Sequence, residues 1–171
     1  MAVRKIYGFG HPTLREKAKK APKVDASIVK LIDDLAETML AAPGAGLAAP
    51  QIGVPLRVFV VRGEENQVIG LVNPELLRGE GVQVGYEGCL SYPGWVGEVA
   101  RYQDVVIKGR NRHGKEVRIK ATGFTSRAYQ HELDHLDGIL FIDRLTSLDT
   151  LRKLEELDEE EDEVAAAVVE A

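Results

Sequence analysis

The apolar positions of the chain change period twice. Ile28, Leu31, Ile32, Leu35 and Met39 recur at three- and four-residue steps, the stripe of an amphipathic helix. Asp25 is placed to cap its start, and Pro43-Gly44 to stop it. The middle of the chain turns to short β-branched runs, LRVFVV, QVIGLVN, GVQVGYE, DVVIKGR and EVRIKAT, with turn residues between them. The segment NRHG, which carries His113, reads as a hairpin turn. Helical spacing returns in FTSRAYQHELDHLDG, and Gly138 stands where that helix should end. ILFIDR reads as a further short strand. Leu148, Leu151, Leu154 and Leu157 then predict another amphipathic helix, which runs into an acidic stretch expected to fray or stay disordered. Near the start, HPTLREKAKKAPK opens with a proline suited to the first turn of a short helix, its basic residues on a solvated face. His11 and His113 are both expected to face solvent.

Helices towards both ends with strands between them predict an α+β fold, because the strands do not alternate with crossover helices. The length of 171 residues suits one domain with a sizeable core. We divide it into a catalytic domain over 1–157 and an acidic tail over 158–171.

Composition narrows the class. Hydrophobic residues make up 44% and charged residues 29%, as in soluble globular chains. No apolar run approaches the roughly 20 residues of a membrane span, and MAVRKIYGFGHP does not read as a signal peptide. A cytoplasmic setting is expected, although an organelle protein without its transit peptide would read the same. Net charge is −5, with acidic residues concentrated near the end, so no broad nucleic-acid surface is expected. One cysteine, Cys89, excludes an internal disulfide. A lone cysteine is a small buried hydrophobe, a nucleophile or a metal ligand.

The strongest chemical signal is QHELDHLDG. On a helix, residues four apart differ by about 40° and lie one turn apart, so His131 and His135 can aim ring nitrogens at one point. Glu132 lies close enough to reach a group bound there. Two imidazoles and an adjacent carboxylate are the parts of metal-assisted hydrolysis. The same spacing also arises by chance on a polar helix face. A catalytic metal needs three protein ligands and an open position. Downstream, Asp137, Asp143 and Asp149 form no recognised ligand pattern. The remaining candidate is Cys89, in the Gly-rich turn YEGCLSYPGW, and Cys/His/His is a good set for a divalent metal. GAGLAAPQ, residues 44–51, leaves a bare backbone that another chain can approach, although it also suits an ordinary helix-to-strand loop.

GAGLAAPQ, EGCLS and HELDH, in that order, resemble the three signature motifs of the peptide deformylase family, and the similarity runs from about Ile6 to Arg144. The resemblance implies an α+β fold in which antiparallel strands pack around a central metal-binding helix, followed by a C-terminal helix. It implies removal of the formyl group from the N-terminal formylmethionine of new proteins. Carried over residue by residue, it makes Cys89, His131 and His135 the metal ligands and Glu132 the general acid/base. Gln51 and the Leu90 N–H become donors to the formyl oxygen. Gly46 pairs through its backbone with the substrate, beside Ala45 and Gly88. Phe124 and Ala128 are expected to help form the methionine pocket, with Arg127 near its rim. The implied metal is Fe²⁺, with Zn²⁺, Ni²⁺ or Co²⁺ as alternatives. The expected partners are N-formylmethionyl peptides and nascent chains.

Two features depart from the family pattern. Ala45 stands where a larger aliphatic residue is usual, and the acidic tail is unlike a basic ribosome-docking helix. Two other functions remain open on the residues alone. One is a metallopeptidase that cuts internal peptide bonds. The other is a structural metal module without catalysis.

Overall fold

The computed structural model describes residues 2–156. It contains two α-helices, α1 (Ala26–Ala41) and α2 (Gly123–Leu136), and eight strands in two antiparallel sheets. The larger sheet has the order β1-β2-β3-β6-β7, formed by Gly46–Ala48, Val58–Arg62, Val68–Glu80, Asp104–Arg110 and Glu116–Thr122. The smaller joins β4 (Gln83–Cys89), β5 (Tyr92–Arg101) and β8 (Arg152–Lys153). Among the described residues, no helix is long and apolar enough to cross a membrane.

Strand β2 explains the layering. Side chains alternate between the two faces of a strand, yet Val58, Phe59, Val60 and Val61 are all fully buried. Val58 and Val60 pack with Ile28, Leu31, Ile32, Leu35 and Met39 of α1. Phe59 and Val61 pack with Ala128, Tyr129 and Leu136 of α2. The larger sheet is thus sandwiched between the helices, which is why this strand reads as a continuous apolar run. The stripe expected on α1 is the buried face, and the Asp25 carboxylate accepts from the Ile28 N–H as its cap.

Helix α2 ends where the glycine signal placed its end. Gly138 has φ +73°, and the Ile139 N–H returns to the Asp134 carbonyl, satisfying one of the last free carbonyls of the helix. A Cβ on Gly138 would lie 2.7 Å from the Arg15 carbonyl oxygen. Gly138→Ala combines that clash with a left-handed backbone that L side chains disfavour, so it should cost about 1–3 kcal/mol. Thermal unfolding checks this, and an unchanged Tm would show that the Arg15 segment yields.

The NRHG turn forms as expected between β6 and β7. The Asn111 side chain accepts from the His113 N–H, and His113 is exposed. Other expectations are corrected. ILFIDR is not a strand: Phe141–Arg144 form a 3-10 turn, in which Phe141 is buried beside Cys89 and Val99. His11 is half-buried and lies against the Tyr7 ring, with centroids 4.1 Å apart. The leucine-spaced segment is not α-helical over 148–156. It forms 3-10 turns around β8, which pairs Arg152 with Val96 and Lys153 with Trp95. Strand β5 offers an open edge there, and pairing with it satisfies backbone groups. Leu148 is 76% exposed, so the segment has no continuous apolar stripe to bury. The acidic tail 158–171 lies outside the described residues.

Candidate active site

Three elements meet at the site. Helix α2 supplies His131, Glu132 and His135, all buried. The β4–β5 hairpin supplies Cys89. Its register shifts between Gly88, opposite Val96, and Cys89, opposite Tyr92, and such an irregularity re-aims a side chain. Strand β1 and the turn after it supply Gly46 and Gln51.

The Cys89 Sγ, His131 and His135 ligand atoms lie within 4.8 Å of one another. His135 Nε2 is 3.4 Å from Cys89 Sγ and 3.1 Å from His131 Nε2. Tetrahedral coordination at ordinary Zn–N and Zn–S lengths would separate such atoms by roughly 3.3–3.6 Å. The donor set therefore fits a divalent metal in both geometry and chemistry. His131 Nδ1 contacts Glu87 Oε1 at 2.6 Å. This carboxylate fixes the tautomer that leaves Nε2 free to ligate. Burial, reinforced by the neighbouring His131, pushes His135 well down towards its neutral form, the form a ligand needs.

Glu87 was missed as a functional residue in the sequence. It is fully buried, and its oxygens also accept from Arg101 (3.1 and 2.5 Å) and Arg127 (2.8 Å). Burial alone would raise its pKa, but the Arg101 charge and the His131 hydrogen bond reverse that and hold it well below the carboxylate range. Arg101 continues to Asp134 at 2.6 Å, and Arg144 reaches Asp134 from the surface. A signal was available, because Glu87 opens the EGCLS motif, two residues before Cys89.

Glu132 contrasts with Glu87. It is fully buried, and neither carboxylate oxygen has a hydrogen-bond partner among the described residues. Desolvation pushes its pKa up to about 7. A buried carboxylate without a partner is costly, and such perturbed groups concentrate at functional sites. Gln51 is held at both ends. Its Oε1 accepts from the Ala48 N–H at 2.9 Å, and its Nε2 donates to Ser91 Oγ at 3.2 Å, 3.7 Å from Cys89 Sγ. The amide thus presents its donor on the cysteine side. Ala45 and Gly88 are buried, and Leu90 is partly buried against the α1 core.

The expected methionine-pocket residues divide. Phe124 is 40% exposed at the start of α2, and Ala128 is fully buried on the face that packs against the larger sheet. Arg127 does not stand at a rim. It is buried, bonded to Glu87 and to the Val99 carbonyl, because the phase of α2 turns position 127 towards β4 and β5.

A sequence model of the polypeptide deformylase family matches residues 3–151. The chain belongs to the peptide deformylase family. It is 50% identical over 165 residues to a peptide deformylase of Dehalococcoides mccartyi, covering 96% of this chain and 99% of the relative. A peptide deformylase of Symbiobacterium thermophilum is 49% identical over 171 residues, covering 99% of this chain and 77% of the relative. Among solved structures, a Legionella pneumophila peptide deformylase matches with TM-score 0.82 at 42% identity, over 87% of this chain and 89% of that one. An Ehrlichia chaffeensis peptide deformylase solved with actinonin matches with TM-score 0.83 at 34% identity, over 88% and 92%. The deformylase family is metal-dependent, and Cys89, His131 and His135 form the metal-binding group of this member.

Proposed function

We infer that this deformylase hydrolyses the N-formyl group of formylmethionyl nascent chains, with Glu132 as its acid/base. The observation that carries this reading is the buried, unpartnered Glu132 carboxylate next to the Cys89/His131/His135 group. A divalent ion held there would supply Lewis acidity and lower the pKa of water. Glu132 takes a proton from the attacking water as it adds to the formyl carbon. Negative charge then builds on the formyl oxygen, to which Gln51 Nε2 and the Leu90 N–H donate. Glu132 returns the proton to the nitrogen as the C–N bond breaks, leaving formate and a free amine. Ser91 supports the Gln51 role by holding its amide. Phe124 contributes to the methionine pocket, and Gly46, Ala45 and Gly88 to the peptide track.

We assign Fe²⁺ as the working ion. A thiolate with two imidazoles also accommodates Zn²⁺, Ni²⁺ or Co²⁺. The relatives named above are bacterial, which supports a bacterial cytoplasmic setting.

A metallopeptidase would cleave an unformylated peptide, and a structural metal module would cleave nothing. Formate release from formyl-Met-Ala-Ser, compared with cleavage of Met-Ala-Ser, separates the three readings. We expect formate from the formylated peptide only. Peptide-bond cleavage without formate would overturn the assignment.

A further inference from the structure

Among the described residues the Glu132 carboxylate has no hydrogen-bond partner, so its contacts within the protein are packing contacts. Directly against it lies Gly46, in β1, paired with Val61 of β2. A Cβ on Gly46 would come 2.6 Å from Glu132 Oε1, 2.9 Å from its Cγ and 3.0 Å from its Cδ. All three nearest atoms belong to Glu132. Their carrier helix α2 packs against β1 and β2 through Ala48, Phe59, Val61, Tyr129 and Leu136, and β1 is held by its ladder, so the Glu132 side chain is the part that must yield.

We propose that Gly46 is a positioning residue for the acid/base carboxylate: its missing side chain is the space in which Glu132 sits. This rests on the acid/base reading of Glu132 and is distinct from pairing with substrate through the Gly46 backbone. In Gly46→Ala the N–H and C=O remain, so backbone pairing is preserved. The added methyl instead displaces the carboxylate. A misplacement of about 1 Å in a reacting group can cost roughly 100-fold.

The test is a cycle of Gly46→Ala, Glu132→Ala and the double variant, each loaded with Ni²⁺, with metal content and Tm measured beside kinetics. Gly46→Ala should keep the metal and change KM by less than about 3-fold, while kcat falls roughly 100-fold. In the Glu132 background it should lower Tm by roughly 3–10 °C. In the Glu132→Ala background, where all three clashing atoms are gone, the same substitution should lower Tm by less than half as much. An equal Tm loss in both backgrounds would overturn the proposal, even if Gly46→Ala is too unstable to assay kinetically. So would a loss carried by KM, which would assign Gly46 to substrate pairing alone. Normal turnover by Glu132→Gln would instead overturn the acid/base reading and leave the Tm coupling intact.

Discussion

Glu87→Ala should be the most destabilising single change near the site, at about 3–5 kcal/mol. Glu87 is the shared counter-ion of two buried guanidiniums, Arg101 and Arg127. Its removal leaves Arg127 without a carboxylate and Arg101 with Asp134 alone. The cost is that of buried charges without partners, which exceeds the worth of the contacts themselves. Metal affinity should fall with it by about 10- to 100-fold, because His131 loses the acceptor that orients its ring. Urea unfolding and a competitive chelator titration measure the two effects separately. Glu87→Gln should unfold less readily than Glu87→Ala, since the amide oxygen still accepts from one arginine. Unchanged stability in both variants would show that the arginines find other partners.

The pH dependence of stability follows from the same group. The folded pKa of Glu87 is held below its ordinary value of 4.5. Its contribution is therefore fully present above about that pH and is lost as pH falls towards the folded value. The wild-type protein should lose stability through this acid window more steeply than Glu87→Gln, which has no proton to take up there.

What was legible in the sequence was local. Helix α1 could be read because its buried face has one period and its cap is a single aspartate. The metal helix could be read because His131 and His135 are four apart and Gly138 ends the run. Strand β5 was missed because SYPGWVGEVAR mixes glycines and a proline with its apolar residues. It is a strand because β4 and β8 pair with it, a non-local cause. The leucines of 148–156 misled for the same reason: helical spacing was present, but an open sheet edge competed for the backbone. At the site, His131 and His135 announced themselves by type and spacing, and Cys89 by the resemblance of EGCLS. Their supports did not. Arg101, Asp134 and Arg144 are ordinary surface residues in a sequence, and only the fold gathers them behind Glu87. Arg127 was misplaced because helical spacing puts it near the entry of α2 without saying which strand lies opposite.

Glu132→Gln should separate chemistry from folding. The amide nearly matches the carboxylate in size, so the space beside Gly46 that admits Glu132 also admits glutamine. The metal ligands are Cys89, His131 and His135, none of which this change touches, and metal content should stay stoichiometric. Stability should hold or rise, because a neutral amide replaces a carboxyl group that is buried without a hydrogen-bond partner. The amide cannot accept the proton of the attacking water or return it to the leaving nitrogen. Loss of acid–base catalysis of this kind costs about 100- to 10,000-fold. The expected protein is folded, metal-loaded and able to bind a formyl-Met peptide, with kcat reduced by that factor and KM little changed. Metal analysis, peptide binding and formate release on one preparation give the answer. Turnover near wild type would remove Glu132 from the acid/base role. Loss of metal would instead assign Glu132 to the support of the ligands.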